Sequence, residues 1–354
     1  MVIPKEEFMK FRILIVLSIL MMSVNVHATL AGKNLILVNG FRAGDLEQAP
    51  SSAAQLQSLS EEYFSEFWTS RAEAHHFWSS ADRVTGGIKD QFREHFEELE
   101  TSGLCIDGCI YVTHSTGDLV LRDALSRLGQ WGIDQNRVRI LLVLDLAGAG
   151  GGTELADVAA TVANGGNLAT AALRGVASAF LGFDVSNGNL GVLEDLRPAR
   201  ARAIATSNQA VPRLRFAGTG TEFLGLTKPF LLGGDDSVVP LHSSCASRTR
   251  DSFESCSRSV RANGELRSSD GPSSFLFNNF VVLMGASTGH GNHISNRRDG
   301  ELTTVTNNQT FAGLDVDFAT TTRRRIQNFF RRVRIVNGSS SRSMSANIFN
   351  TLNN

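Results

Sequence analysis

Ile110-Tyr-Val-Thr-His-Ser115-Thr-Gly117 reads as a buried strand that runs straight into a serine and then, from Asp118 to Leu128, into a helix. A serine at such a junction sits on a tight turn that lifts its hydroxyl above the strand end. The turn also sets it at a helix N-terminus, where the helix dipole favours a developing anion. Small residues are needed two positions to either side, because the turn presses them against neighbouring backbone. Gly117 meets that need and Thr113 departs from it. A bare Ser-x-Gly is common by chance, so its meaning rests on what surrounds it.

Outward from this stretch, strand-like and helix-like segments alternate, the pattern of a parallel sheet flanked by helices. Leu35–Val38, Cys109–Thr113, Val138–Leu146, Arg213–Ala217 and Phe275–Leu283 read as strands. Ser52–Trp68, Gly87–Glu100 and Phe318–Val333 read as helices, the last a closing one. Leu155–Phe183, rich in Ala, Val and Leu and broken at Gly165-Gly166, reads either as a pair of buried helices or as an apolar cap over a cleft. The fold class expected is α/β, with a mostly parallel central sheet and a helical cap insertion at about 154–205.

An anion formed at Ser115 needs donors. The strand Leu35–Val38 ends in Asn39-Gly40-Phe41, where Gly40 lets the chain turn so that the Phe41 amide faces the oxyanion. The Thr116 amide is the second donor. An acid and a base should follow in chain order. Asp236, in Gly233-Gly-Asp-Asp236-Ser-Val-Val-Pro240, can orient a histidine. His293, in Thr288-Gly-His290-Gly-Asn-His293, is the expected base, with His290 as the alternative.

The N-terminus reads as an export signal over residues 1–28: Lys5, Lys10 and Arg12, then an apolar run from Ile13 to Val24, then Val26-His27-Ala28 at the cleavage point. Of 354 residues this leaves 326, enough for one large domain over 29–336, and 337–354 reads as a flexible Ser- and Asn-rich tail. The formal charge of −1 becomes −2 after cleavage, which argues against nucleic acid as a partner. Four cysteines in two local pairs, Cys105 with Cys109 and Cys245 with Cys256, fit two short disulfides in a secreted or periplasmic protein better than a zinc site.

These residues resemble the α/β-hydrolase superfamily and, within it, bacterial secreted lipases and esterases. Val-Asn39-Gly-Phe is similar to the family's Val-His-Gly-Phe, Thr-His-Ser115-Thr-Gly to Gly-His-Ser-x-Gly, and Asp236-Ser-Val-Val-Pro to Asp-Gly-Val-Val-Pro. Asn292-His293-Ile is similar to Asn-His-Leu, and Gly152-Thr-Glu-Leu-Ala-Asp157 to Gly-Ser-x-Leu-Ala-Asp. The resemblance implies a carboxylic ester hydrolase with a Ser115–His293–Asp236 triad, no cofactor, a small-molecule or lipid ester as substrate, and at most transient contact with a lipid surface. Such lipases often carry a structural calcium, for which Asp235 or Asp299 could serve, although no spacing demands it. Asn39 in place of His removes a frequent buttress of the oxyanion loop, and Thr113 crowds the turn. Hydrolysis of another acyl bond (polyester, thioester, amide) and a non-catalytic binding role on the same fold are the alternatives. The oligomeric state is left open. His114, His75, His76, His95 and His242 read as packed polar groups, and Arg323-Arg-Arg325 with Arg331, Arg332 and Arg334 as a solvated helix face.

Overall fold

The computed structural model describes residues 30–353 except 166–170, 184–189, 205–209, 251–253, 258, 267–270, 272–277, 306–308 and 326–330. The export signal read over 1–28 therefore lies outside the described residues. Seven strands form the central sheet in the order β2-β1-β3-β4-β5-β6-β7. They are β1 (Asn34–Val38), β2 (Ala74–His76), β3 (Cys109–His114), β4 (Ile140–Leu146), β5 (Arg213–Gly218), β6 (Asn279–Gly285) and β7 (Leu302–Thr304). β1 to β6 pair in parallel, and β7 runs antiparallel to β6 at the edge. The expected mostly parallel α/β sheet is the one observed.

Strand alternation explains why both faces are dry. Ile36, Val38, Tyr111 and Val143 pack on one side with Phe92, Phe96 and Leu119. Their neighbours Leu35, Leu37, Ile110, Val112, Leu142 and Leu144 pack on the other with Trp68, Met344 and Ile348. The longer helices are α1 (Ala53–Glu61), α2 (Lys89–Ser102), α3 (Gly117–Trp131), α4 (Glu154–Ala163) and α5 (Ala171–Leu181), with a short α6 (Met344–Phe349) near the C-terminus. α1 begins at Ser52, whose hydroxyl accepts from the Gln55 amide, and ends well before Trp68. α2 and α3 end on Gly103 and Gly132 in the left-handed region.

Charge is buried under the serine turn. Arg213 and Arg215 project from one face of β5 onto Asp118 of α3, each at 2.9 Å, and Arg215 also pairs with Asp145 at 2.7 Å. All four side chains are buried. Burial alone would raise the Asp118 carboxyl, but the Arg215 and Arg213 guanidinium charges overcome it and drive it far down. Asp145 is pushed up to about 7, by burial first, against the pull of Arg215.

Two expectations are corrected. The stretch read as the closing helix Phe318–Val333 instead holds one strand, β8 (Thr320–Arg325), and the start of a second, β9 (Arg331–Val336), paired antiparallel from Thr320↔Val336 through Arg325↔Arg331. In β9 the alternation Val333, Ile335 inward with Arg332, Arg334 between them wins over the longer-range helical spacing. The tail read as flexible instead ends in α6, capped by Ser343 and held by buried Met344, Ile348 and Leu352, while Trp68 Nε1 donates to Ser345 Oγ at 3.0 Å. The short edge strands β2 and β7 went unread because Ala74-His-His76 and Leu302-Thr-Thr304 carry little apolar signal. Both expected disulfides, Cys105–Cys109 and Cys245–Cys256, are formed. Among the described residues no helix is long and apolar enough to cross a membrane.

Candidate active site

Ser115 follows β3 directly and has φ +56°, a left-handed conformation unusual for a residue with a side chain. The turn is held by Ser115 N donating to Leu146 O (3.0 Å), and by the Ala149 and Asp118 amides donating to Ser115 O. Its tightness explains the glycines. A Cβ on Gly117 would come 2.7 Å from Val38 O, and one on Gly40 would come 2.8 Å from Ser115 Cβ and 2.2 Å from Tyr63 Oη. The loop after β1 is thus pressed against the serine. Neither the Phe41 nor the Thr116 amide donates to a protein acceptor among the described residues, so both are available.

Two departures noted in the sequence are absorbed by the structure. Asn39, fully buried, donates from Nδ2 to Gly40 O at 2.9 Å, and Trp78 Nε1 donates to Asn39 O at 3.0 Å. The asparagine and Trp78 therefore brace the loop together. Thr113, which looked as if it would crowd the turn, donates its hydroxyl to Asp145 Oδ1 at 3.0 Å and joins the buried charge cluster.

Asp236 is buried in the loop after β5. The Val238 and Val239 amides donate to its Oδ1 (3.0 and 2.7 Å). Its Oδ2 lies 2.9 Å from His290 Nδ1, and the His290 amide donates to Asp236 O at 3.0 Å. The structure thus brings Asp236 to His290 and not to His293, the base that the sequence reading favoured. Burial lowers the His290 imidazole, but the charge and hydrogen bond of Asp236 outweigh it and leave it above its ordinary value. Burial likewise raises Asp236, and His290 reverses the shift and holds the carboxyl below its usual range.

His293 points into the protein instead. Its Nδ1 sits 3.1 Å from Gly289 O and 3.2 Å from His290 O, and its ring rests on β5, where a Cβ on Gly218 would come 2.8 Å from its Cε1. Burial, the largest influence, lowers it to about 4. The physical reason for the correction is the one-turn helix Gly291–Ile294, which turns the two histidines of Gly-His-Gly-Asn-His to different sides.

Two residues that sequence reasoning passed over complete the surroundings. Tyr63 Oη lies 2.6 Å from His114 Nδ1, and His114 Nε2 lies 3.0 Å from His290 O. The carbonyl can only accept, so Nε2 carries the proton and the tyrosine hydroxyl donates to Nδ1. Burial lowers His114 well below the usual imidazole value, so the chain Tyr63–His114–His290 O is uncharged. His242, also read as packing, is bonded to Glu154 at 2.9 Å and to Arg202 at 2.7 Å. His76 and His95 stack with ring centroids 4.5 Å apart.

Ser115, Thr116, Phe41, Tyr63 and His290 line one cavity of about 170 Å³. A larger cavity of about 470 Å³, rimmed by Asp82, Glu94 and Glu98, shares no lining residue with it. Asp299 is raised by burial to about 6 and Asp235 pairs with Lys228 at 3.6 Å, and among the described residues no three His, Cys, Asp or Glu are gathered to hold a metal ion.

No protein-family model and no curated protein matches this chain. Among solved structures it is similar to lipase BlEst2 of Bacillus licheniformis in its mature form, at 13% identity over 62% of this chain and 82% of that one, with a TM-score of 0.39. It is also similar to the metagenomic carboxyl esterase MGS0156, at 17% identity over 59% of each chain, with a TM-score of 0.37. For phospholipase PlaB of Legionella pneumophila the figures are 16% identity, 60% of this chain, 44% of that one and a TM-score of 0.36. What those proteins act on is not carried to this chain by likenesses so faint. The fold class rests on the sheet order and strand directions themselves.

Proposed function

We propose that the chain is an exported serine hydrolase of carboxylic esters, with Ser115 as nucleophile, His290 as general base and Asp236 as its orienting acid. The observation that carries this is one cavity holding both a serine at φ +56° on a strand-to-helix turn and a histidine whose other nitrogen is taken by a buried carboxylate. Asp236 holds the proton of His290 on Nδ1 and so leaves the Nε2 lone pair for the serine proton. Ser115 Oγ attacks the ester carbonyl, His290 takes its proton, and the Phe41 and Thr116 amides hold the oxyanion. The proton returns to the leaving alcohol, and water, activated by the same His290, frees the acid. The two disulfides suit an oxidising compartment.

The test is covalent. A fluorophosphonate should modify Ser115 of the chain lacking residues 1–28, and labelling should vanish in Ser115→Ala and fall steeply in His290→Ala. Labelling that persists in Ser115→Ala would sink the assignment. A panel of carboxylic ester, thioester, amide and polyester substrates then decides which acyl bond is cleaved.

A further inference from the structure

The cavity beside Ser115 is small and one-sided in character. Apart from the groups given roles above and Thr153, its wall is apolar: Phe41, Phe180, Leu196, Phe223, Val238 and Val239 carry most of it, and among the described residues no Asp, Glu, Lys or Arg lines it. The Phe41 ring stacks on Phe180 of α5, with centroids 5.9 Å apart and planes 23° from parallel. Phe41 is also the residue whose amide is proposed above to hold the oxyanion, and the ring that stacks on it belongs to α5.

We infer that this cavity takes the acyl group of the ester, that it admits short uncharged chains, and that Phe180 sets the length limit. The inference rests on the ester hydrolase reading above. A volume of about 170 Å³ beside the serine is that of a small pocket, which suits butanoyl to hexanoyl chains. Pockets for drug-sized ligands start at about 300 Å³, well above it. The limit is not a loose side chain. Val176 of the same helix is packed with Leu155 of α4 and Leu231, and Phe180 leans on that cluster, so a longer chain has to part the Phe41–Phe180 stack or shift a packed helix. The nearest pair of valines, Val238 and Val239, cannot yield either, because their amides bind Asp236 Oδ1 and Val238 O accepts from the Thr153 hydroxyl at 2.6 Å.

The experiment is kcat/KM for the p-nitrophenyl acetyl, butanoyl, hexanoyl, octanoyl and dodecanoyl esters, with the parent and with Phe180→Ala, Phe180→Leu and Phe180→Trp, each checked for folding by near-ultraviolet circular dichroism. The parent should peak at butanoyl or hexanoyl and fall by about tenfold or more at dodecanoyl. Phe180→Ala should move the peak to octanoyl or beyond, Phe180→Leu should move it less in the same direction, and Phe180→Trp should move it towards acetyl. A parent rate that climbs through dodecanoyl, or folded variants that keep the parent's peak, overturns the inference while leaving the esterase reading intact. Absence of hydrolysis on every ester, together with no fluorophosphonate at Ser115, removes the esterase reading itself and this inference with it.

Discussion

Two histidine–carboxylate pairs in this molecule have the same length and opposite meanings. His290 Nδ1 meets Asp236 Oδ2 at 2.9 Å, and His242 Nε2 meets Glu154 Oε1 at 2.9 Å. What differs is the second nitrogen. In His242, itself buried, it accepts from the half-buried Arg202 Nη2 at 2.7 Å, and a guanidinium can only donate, so the ring is fixed as donor to Glu154 and acceptor from Arg202. That ring is a strut between α4, the helix Pro198–Ala203 and the loop after Asp236. In His290 the second nitrogen is left for the cavity that Ser115 lines, and the side chain is 12% exposed. A buried pair with both nitrogens spent holds the fold, and a pair with one nitrogen open to a cavity can move a proton.

The comparison breaks most visibly in activity. His290→Ala should lower ester kcat by about 10⁴-fold or more, whereas His242→Ala should leave kcat per folded molecule within about tenfold of the parent. Equal losses in the two variants would erase the distinction, as would a His293→Ala variant that falls as far as His290→Ala.

Asp236→Asn sharpens the same point through pH. His290 must be neutral to accept the serine proton, and its value stands raised by Asp236, so kcat/KM of the parent should fall as pH drops through a value above 6.5. The asparagine variant should lose about 10⁴-fold in kcat and shift what acid limb remains to lower pH. An acid limb that stays in place would detach His290 from Asp236.

On the strut side the measurement is stability. His242→Leu takes the imidazole away from Glu154, which keeps Arg250 at 3.2 Å, and from Arg202, which keeps backbone acceptors, and should cost about 1–3 kcal/mol, read from the urea midpoint. A change under about 0.5 kcal/mol, the range of ordinary surface substitutions, would mean that the pair supports little.

The smallest effect is expected at Tyr63, which touches neither pair directly. Tyr63→Phe removes the hydroxyl that donates to His114, and His114 in turn holds the backbone oxygen of His290. A loss of about 1 kcal/mol in positioning amounts to about fivefold in kcat, with KM unchanged. A rise in KM with kcat unchanged would make Tyr63 a wall of the pocket only.

Much of the fold was legible along the chain because it is written in local periods. Strands β1, β3 and β4 announce themselves as apolar runs, and Ser115 between β3 and α3 can be read from the strand, the glycine and the helix that follows. Legibility failed where the local signal was shared by two structures. Arg331-Arg-Val-Arg-Ile-Val336 alternates like a strand inside a stretch that also has helical spacing, and the Ser- and Asn-rich tail hides Met344, Ile348 and Leu352 at intervals of one turn.

By itself the sequence marked the serine turn, the carboxylate loop and a mostly parallel sheet, since the turn residues and the alternation of strands and helices are local signals. Only the tertiary structure decided which histidine serves Asp236. His290 and His293 share one glycine-rich loop, and the choice turns on which way a single helical turn aims each ring relative to a carboxylate 54 positions away. The same holds for Tyr63, brought to His114 across 51 positions, and for Phe180, brought to Phe41. Residue type and spacing fix what a side chain can do. Which partner it meets is set by how distant segments pack, and no local period records that.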